Sequence, residues 1–464
     1  MNRTANPRAY VETYGCQMNI ADGELMEGIL GRAGYDIAES PEHADVILVN
    51  TCAIREHAER RVLGRVGQLN YFKRMRPEVV LGVTGCMAQR MQDALLEKAP
   101  YVDLIVGPDG YRGLATAVDE IRASRGPAKA RRRLSMVELR IDEDYRGLEQ
   151  RRKSAVTAWV PIQRGCDHRC TFCIVPYVRG PEKNRDPIEV LEEVHDLAAG
   201  GVTEVTLLGQ TVNSYAHGDW EFPRLLRSVS RIPGIQRVRF TSPHPNDVTP
   251  ELIEVMAAED GICEQIHLPV QSGSNRVLRR MLRRHTVEEY LLTVRRLRDR
   301  VPGIAISTDI IVAFPGETDE DFEETLRLVR RVQFDEAFTY RYSPRAGTPA
   351  TRLPRHQFVP DEVAQERLER LIAETRTIQA VINERDVGRV EELLVEKMGR
   401  DEGMVMGRTR RNKVVVAPGD ESDIGRYIYV RLTHSTGATF VAGRLPKAAP
   451  RRVQWPPLPE LAEL

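Results

Sequence analysis

Short apolar runs alternate with amphipathic stretches along most of the chain, and this alternation restricts the fold more than any other feature of the sequence. The apolar runs have the length of β-strands, and the stretches between them place apolar residues at helical spacing. A chain that repeats strand and helix in this order builds parallel sheets from βα units. The alternation forms two series, and the cationic segment 124–154 between them has few apolar positions, as expected of a surface linker.

The two series predict two α/β domains. The first predicts an amino-terminal domain with a parallel βα sheet over residues 9–125, and a linker follows over residues 126–151. The second contains six strand–helix units, which are too few for a closed eight-stranded barrel, and it predicts a central partial (βα)6 barrel over residues 152–384. The predicted strands are residues 10–14, 46–50, 79–84 and 104–106 in the first series and residues 157–162, 204–208, 237–242, 265–268, 305–312 and 336–342 in the second.

The carboxy-terminal part has a different pattern. A long charged helix over residues 361–386 leads into short strands separated by Gly and Asp, which predict a small OB-like β-barrel over residues 387–448. The Pro-rich end, residues 449–464, has no packing pattern and is expected to be a mobile tail. The predicted strands of the small barrel are residues 391–395, 403–408, 413–416, 427–431 and 439–443.

Composition narrows the class of protein. Hydrophobic residues make up 41% of the 464 residues, and 67 Lys and Arg balance 67 Asp and Glu, which is typical of a soluble globular protein. No stretch approaches the ~18 apolar residues of a membrane span, and residues 1–7 lack the apolar run of a secretory signal. We therefore expect a cytoplasmic protein without a membrane partner. Seven cysteines in such a chain point to reduced thiols used for metal binding or catalysis.

Three of these cysteines lie close together directly after the first strand of the second series. Cys166, Cys170 and Cys173 place three thiols within one short loop. Three thiolates and one empty position suit a cubane iron–sulfur cluster with an open iron, because soft sulfur ligands select iron–sulfur clusters or zinc. A zinc site with His168 as the fourth ligand is the alternative, although the paired CxxC partner that usually accompanies such a site is missing downstream.

Three further cysteines each follow a predicted strand of the first series. Cys16, Cys52 and Cys86 are separated by roughly 35 residues, about one βα unit. Because the carboxyl ends of parallel strands meet at one edge of a sheet, these distant thiols should converge and form a second iron–sulfur site. The alternative is three small buried side chains, the usual fate of a free cysteine. Cys263 has no comparable position and is expected to be a packing residue.

The motifs around these cysteines resemble those of a known family. The Cx3CxxC spacing, with Phe172 before the last cysteine, resembles the radical S-adenosylmethionine superfamily. The runs Thr13-Tyr14-Gly15-Cys16-Gln17-Met18-Asn19, Asn50-Thr51-Cys52-Ala53-Ile54-Arg55-Glu56, Thr84-Gly85-Cys86-Met87-Ala88 and Cys173-Ile174-Val175-Pro176-Tyr177-Val178-Arg179-Gly180 resemble its methylthiotransferase family over about residues 9–448. The first run is similar to the branch that modifies isopentenylated adenosine in tRNA. One departure is Asn184, where the family usually has Ser.

The resemblance implies a radical enzyme with two [4Fe-4S] clusters and S-adenosyl-L-methionine as cofactors. Cys166, Cys170 and Cys173 would hold the cluster that cleaves S-adenosylmethionine, and Cys16, Cys52 and Cys86 would hold an auxiliary cluster that carries sulfur. One S-adenosylmethionine would methylate that sulfur, and a second would give the radical that activates carbon 2 of N(6)-isopentenyladenosine beside the anticodon. No catalytic residue beyond the clusters is expected, and His244, His267 and His285 are interpreted as structural.

Polar residues at the predicted strand ends are candidates for S-adenosylmethionine contacts. They match family segments that line the cofactor pocket, although each could instead be a turn or cap residue. These candidates are Gln210, Asn213, Gln271, Ser272 and Asp309.

The resemblance also implies that the small barrel is an RNA-binding TRAM domain. In the sequence, a cationic loop between two predicted strands could contact RNA phosphates, which position RNA without reading its bases. A solvated charged turn is the alternative. The candidate RNA-binding residues are Arg408, Arg410, Arg411 and Lys413.

The expected partners are tRNA carrying isopentenyladenosine, an electron donor such as flavodoxin or ferredoxin, and a sulfur donor, and the chain is expected to be a monomer. Alternatives within the family are a threonylcarbamoyl-adenosine tRNA substrate and a ribosomal-protein substrate. A non-catalytic iron–sulfur sensor that binds RNA is an alternative of another class.

Overall fold

The structure, a computed structural model, describes residues 6–53, 56–124 and 132–446. It contains two α/β domains and a small β-barrel, as the sequence predicts. The Pro-rich tail over residues 449–464 lies outside the described residues, and so does part of the predicted linker.

The amino-terminal domain is a parallel sheet of six strands in the order β2-β1-β3-β4-β5-β6. Every residue of β3 and β4 is buried, because helices cover both faces of the sheet. The strands are β1 (Arg8–Thr13), β2 (Asp36–Ile37), β3 (Val46–Thr51), β4 (Val80–Gly85), β5 (Leu104–Val106) and β6 (Leu134–Met136). The helices are α1 (Gln17–Arg32), α2 (Glu56–Met75), α3 (Cys86–Met91), α4 (Asp93–Lys98) and α5 (Leu114–Ala123).

Strand β6 differs from the prediction, which placed this segment in a surface linker. It pairs with β5 and completes the sheet edge, and Asp109 then accepts a hydrogen bond from the Arg140 N–H. Only three residues form the strand, so its apolar signal is too short to stand out among the cationic residues around it.

The central domain is a half-barrel of six parallel strands. Strands β7, β10 and β13 form one sheet and β14, β15 and β16 another, and a bridge between Val238 and Ile262 joins the two. The domain also contains two short antiparallel pairs, β8 with β9 and β11 with β12. In chain order its strands are β7 (Thr157–Pro161), β8 (Gln163–Arg164), β9 (Lys183–Asn184), β10 (Glu204–Leu208), β11 (Ala216–His217), β12 (Trp220–Glu221), β13 (Arg237–Phe240), β14 (Gln265–His267), β15 (Ala305–Val312) and β16 (Glu336–Arg341). The helices are α6 (Val175–Arg179), α7 (Pro187–Ala199), α8 (Phe222–Ser230), α9 (Pro250–Ala258), α10 (Asn275–Arg280), α11 (Val287–Arg300), α12 (Asp319–Val332) and α13 (Asp361–Asp386).

Local sequence signals explain where the outer helices begin. The Thr286 hydroxyl accepts a hydrogen bond from the Glu289 N–H while the Glu289 side chain accepts from the Thr286 N–H, and Thr318 and Asp321 form the same capping box on α12. The largest apolar core of the protein lies between these helices and the half-barrel.

The carboxy-terminal domain is a closed barrel of five strands in the order β17-β18-β19-β21-β20. Its strands alternate buried and solvent-facing residues, and the buried set forms a separate apolar core. The strands are β17 (Val390–Met398), β18 (Met404–Thr409), β19 (Val414–Pro418), β20 (Tyr427–Ser435) and β21 (Thr439–Arg444). Among the described residues, no helix has both the length and the apolar character needed to cross a membrane.

Candidate active site

The three amino-terminal cysteines follow adjacent strands of the sheet. Cys16 comes after β1, Cys52 after β3 and Cys86 after β4, and these strands are neighbours in the order β1-β3-β4. The thiols of Cys16 and Cys52 are hydrogen-bonded, and Cys86 lies close enough to Cys16 to interact electrostatically. The structure therefore brings these three side chains together, as the strand-end positions predict.

The surroundings of these thiols suit a metal cluster. A hydrogen bond with Cys52 lowers the pKa of the Cys16 thiol to about 6, and the charge of Arg179 acts in the same direction. Burial raises the pKa of Cys86, so this thiol is not a free surface nucleophile. Three thiols without a disulfide and without a described fourth ligand fit a cubane cluster with one open iron.

A glycine allows the close approach of Cys52. Gly15 has a φ of +140°, and a Cβ at this position would lie 2.7 Å from the Cβ of Cys52. A side chain here would strain the backbone and separate the loop of Cys16 from that of Cys52. The sequence therefore keeps space for sulfur ligands at this strand end.

The central cysteines lie in the loop between β8 and α6. Cys166 and Cys170 are buried and Cys173 is half-buried, and the charges of the three thiols interact. Thr211 Oγ1 lies 3.0 Å from Cys166 Sγ, and Arg283 Nη1 donates to Cys170 Sγ at 3.6 Å. Two residues of the half-barrel thus orient two of the three thiols, and this set also fits a cluster with an open iron.

The His168 ring has partners outside this set of cysteines. Its Nε2 lies 3.0 Å from Asp247 Oδ2, and its ring stacks on His244 at 3.9 Å between centroids. The stack also argues against a separate metal on His168, His244 and Asp247, because one ion cannot lie in the planes of two parallel rings. Neither described contact of the His168 ring involves a thiol of the central triad, so these contacts do not support the zinc alternative.

The two cysteine triads share neighbours. Helix α6 begins two residues after Cys173, and Val178 of this helix, together with Ile174 just before it, packs against Ala53 and Cys86 of the amino-terminal domain. Arg345 follows β16 and donates to the carbonyl oxygen of Ala53 at 2.9 Å. Burial lowers the pKa of Arg345, whose charge interacts with both Cys52 and Cys173.

The sequence did not identify the arginines around the triads. Arg179, Arg283 and Arg345 contact a cysteine or its neighbour across a long stretch of chain, so no local pattern marks them. The position of Arg179 only six residues after Cys173 was the one available signal. Cys263 is buried elsewhere, near Arg239 and Arg410, in agreement with a packing role.

Two of the predicted cofactor contacts are occupied by structural hydrogen bonds. Asn213 Nδ2 donates to the carbonyl oxygen of His244 at 2.9 Å, and Asn213 Oδ1 accepts from the His244 N–H at 2.7 Å. The Ser272 hydroxyl is fully buried beside Thr325 and accepts from the Ser274 N–H. These contacts give both residues a structural role, and their contact with S-adenosylmethionine stays a prediction.

The other three candidates differ in exposure. Gln210 Oε1 accepts a hydrogen bond from the Gly165 N–H at 2.6 Å and supports the start of the cysteine loop. Gln271 is buried with a φ of +72°, and its N–H donates to the Asp309 carbonyl oxygen. The Asp309 side chain is more accessible, with Oδ2 3.4 Å from His267 Nε2. Gln210, Gln271 and Asp309 remain candidates for S-adenosylmethionine contacts.

The cationic loop of the small barrel lies at the interface with the central domain. Arg410 pairs with Glu264 at 2.8 Å, Arg411 with Asp335 and Asp386, and Lys413 with Asp335 at 3.3 Å. These acidic residues belong to the central domain, so the three cations join the barrel to it. Arg408 is different, because its side chain is 41% exposed.

Two arginines of β13 complete this interface. Arg239 donates to the carbonyl oxygens of Thr409 and Arg410, and Arg237 donates to that of Arg408. The loop is thus fixed through its backbone as well as through its side chains. A run of cations in sequence cannot distinguish such an interface from a solvated or RNA-binding loop.

Three family models match the chain. The model described as "Radical SAM superfamily" matches residues 160–329, "Uncharacterized protein family UPF0004" matches residues 8–107, and "TRAM domain" matches residues 384–444. The first contains the central cysteines, and the second contains the amino-terminal cysteines. The third covers the closed barrel.

Curated relatives match over almost the whole length. A protein of Chloroherpeton thalassium named "tRNA-2-methylthio-N(6)-dimethylallyladenosine synthase" is 43% identical over 442 residues, which cover 94% of this chain and 96% of that protein. A protein of Moorella thermoacetica with the same name is 45% identical and covers 91% of this chain and 95% of its own.

Among solved structures, similarity extends to the fold. The radical S-adenosylmethionine methyltransferase TsrM from Kitasatospora setae, with cobalamin and a [4Fe-4S] cluster bound, matches 83% of this chain and 80% of its own, with a TM-score of 0.53 at 14% identity. The half-barrel and the preceding parallel-sheet domain therefore occur together in another protein.

Proposed function

Because the chain belongs to the family of tRNA-2-methylthio-N(6)-dimethylallyladenosine synthases, we infer that it transfers a methylthio group to carbon 2 of N(6)-isopentenyladenosine beside the anticodon of tRNA. It is a radical S-adenosylmethionine enzyme, and its cofactors are [4Fe-4S] clusters and S-adenosyl-L-methionine. The TRAM domain agrees with a tRNA substrate.

One observation carries the assignment of the sites: two triads of unbridged thiols lie on either side of the short helix α6. We propose that Cys166, Cys170 and Cys173 hold one [4Fe-4S] cluster and that Cys16, Cys52 and Cys86 hold the other. Each set offers three sulfurs, so each cluster keeps one open coordination position. The cluster held by the first triad would supply the electron for radical cleavage of S-adenosylmethionine, and the cluster held by the second would carry the sulfur that the sulfur donor provides.

The protein itself positions the ligands and the substrates. Thr211 and Arg283 orient the thiols of Cys166 and Cys170, and Asp309, Gln210 and Gln271 are proposed contacts for S-adenosylmethionine. The reaction consumes two molecules of S-adenosylmethionine, one as the methyl donor and one as the radical source. General acids and bases have a minor role, because hydrogen-atom abstraction needs position more than proton transfer.

We propose that Arg408 contacts the phosphate backbone of the tRNA, because it is the most accessible of the four cations in the loop. A separate electron donor such as flavodoxin or ferredoxin and a separate sulfur donor complete the system. We further propose that the enzyme is a monomer and works in the cytoplasm, where its tRNA substrate occurs.

The nucleoside product tests this function. Anaerobically reconstituted protein is incubated with S-adenosylmethionine, sulfide and a reductant, in parallel with tRNA carrying isopentenyladenosine, tRNA carrying threonylcarbamoyl-adenosine, and ribosomal proteins. Mass spectrometry of digested tRNA should detect the methylthio derivative of isopentenyladenosine alone, together with 5′-deoxyadenosine. A methylthio group on either of the other substrates would assign the chain to another branch.

The same assay distinguishes a non-catalytic sensor. Such a protein would bind tRNA and iron but would yield no 5′-deoxyadenosine when reduced with S-adenosylmethionine. The Cys16→Ala variant is the matched control. It should still cleave S-adenosylmethionine, because the central triad is intact, but it should not form the methylthio product.

A further inference from the structure

One arginine of the central domain is buried among the amino-terminal thiols. Arg179 is the last residue of α6, and its side chain is 3% exposed. Its Nε donates to Cys86 Sγ at 3.2 Å, and its Nη2 donates to Asp22 Oδ2 at 2.6 Å. Both partners belong to the amino-terminal domain, so this guanidinium joins the central domain to the amino-terminal domain beside the second triad.

The third nitrogen of this guanidinium has an unused donor. Nη1 is buried and has no hydrogen-bond partner among the described residues. A buried N–H group without an acceptor is costly, because it has lost its hydrogen bonds to water, so such groups are rare unless an acceptor binds later. Sulfide and thiolate sulfurs of an iron–sulfur cluster are acceptors of the kind this position lacks.

The charges around Arg179 are balanced without the cluster. Asp22 on α1 is 2% exposed and neutralises the guanidinium, and the Arg179 charge also acts on Cys16. Three thiolates and an oxidised cubane core together carry a net negative charge, and reduction adds another. A buried cation stabilises the reduced state more than the oxidised state, and a buried anion does the reverse.

We propose that Arg179 is a positioning residue for the auxiliary cluster. Arg179 holds the ligand Cys86 by a hydrogen bond, and its charge raises the reduction potential of the cluster, whereas the charge of Asp22 lowers this potential. The inference rests on the proposed assignment of Cys16, Cys52 and Cys86 to that cluster. Cys173 lies two residues before this short helix and Arg179 ends it, so one short segment connects the loop of the central triad with the support of Cys86.

Redox titration of the auxiliary cluster tests the proposal. The full chain carrying Cys166→Ala, Cys170→Ala and Cys173→Ala contains the auxiliary triad alone, so its electron paramagnetic resonance signal reports a single cluster. In this background, Arg179→Gln removes the charge, Arg179→Lys keeps the charge but loses the planar set of donors, and Asp22→Asn removes the opposing charge.

The expected shifts have opposite signs. Arg179→Gln should lower the midpoint potential and change the resonance signal, Arg179→Lys should lower it by less, and Asp22→Asn should raise it. Arg231→Gln, which removes an exposed pair with Glu259, is the matched control and should leave the potential unchanged.

When the variants bind iron, two results would overturn the proposal. One is an unchanged potential in an Arg179→Gln protein that binds about four irons, and the other is a shift of the same sign in Arg179→Gln and Asp22→Asn. If Arg179→Gln binds no iron, Asp22→Asn decides: a rise in potential supports the proposal and no shift overturns it. A failure of the proposed function is distinguishable, because it would appear as a missing methylthio product in the unmodified enzyme.

Discussion

At the scale of single residues, the positions of the six cysteines proposed to hold clusters could be predicted, but the residues that support them could not. Each amino-terminal cysteine follows a strand, and parallel strands bring their carboxyl ends to one edge, so sequence order alone predicts that Cys16, Cys52 and Cys86 meet. Asn213 and Ser272 were expected to contact a cofactor, but they bind the backbone of His244 and Ser274. Sequence shows which residues can form hydrogen bonds, and only packing determines the partner.

Gly15 offers a test of the auxiliary triad at this scale. Gly15→Ala places a Cβ 2.7 Å from the Cβ of Cys52 at a φ of +140°, so the variant should lose the auxiliary cluster. We expect the iron content after reconstitution to fall from about eight to about four per chain. Gly31→Ala, in helix α1 with no atom within 4 Å of the new Cβ, is the control and should retain about eight. An unchanged iron content in Gly15→Ala would contradict the close contact between these loops.

His285 predicts a dependence of stability on pH. Burial lowers the pKa of this histidine from 6.5 to about 3, so the folded protein holds it neutral. The resulting stability is present in full above pH 6.5 and is lost as the pH falls from there towards 3, because the unfolded chain binds the proton first. Between about pH 7 and pH 5, the contribution of His285 to the free energy of unfolding falls by roughly 2 kcal/mol.

The variant His285→Phe isolates this contribution. In cluster-free protein, denaturant unfolding at both pH values should show that the wild type loses roughly 2 kcal/mol more than the variant. Other groups titrate equally in both proteins and cancel in the difference. Equal losses would mean that His285 is protonated in the folded state.

At the scale of elements, the cationic loop between β18 and β19 shows where sequence patterns are ambiguous. The five barrel strands were predicted because their alternation is local, and the charged helix α13 covers the predicted residues. The loop charges meet Glu264, Asp335 and Asp386, which come from distant parts of the chain. Three of the four predicted RNA contacts are therefore interface residues.

Arg411 tests this interpretation. Arg411→Ala removes a buried cation whose Nη1 lies 2.8 Å from Asp386 and whose Nη2 lies 3.1 Å from Asp335. Leaving buried carboxylates without this partner should reduce the free energy of unfolding by about 3 kcal/mol, measured with urea. Arg408→Ala is the matched control, and the loss of its exposed contact with Glu396 should cost less than about 1 kcal/mol.

The same pair of variants separates stability from RNA binding. Arg408→Ala should weaken tRNA binding. It should also make the plot of the logarithm of the binding constant against the logarithm of salt concentration less steep, by about one unit of slope. If Arg411→Ala left stability unchanged but abolished the salt dependence, the loop would be an RNA surface after all.

At the scale of the whole molecule, the domains could be predicted but their packing could not. Strand–helix alternation predicts the parallel sheet and the half-barrel, and the closed barrel follows from its short strands. Nothing local in the sequence shows that α6 packs against Ala53 and Cys86 or that Arg345 reaches the carbonyl oxygen of Ala53. These contacts bring the two triads together, as the proposed function requires.

The iron content per chain, measured by chemical assay together with Mössbauer spectra that identify the cluster type, is the most direct test of this arrangement. Anaerobically reconstituted protein should contain about eight irons per chain in two [4Fe-4S] clusters, and Ala substitution of either cysteine triad should leave about four. A wild-type protein that saturates at about four irons, all lost when Cys166, Cys170 and Cys173 are replaced, would contradict the assignment of a second cluster to Cys16, Cys52 and Cys86.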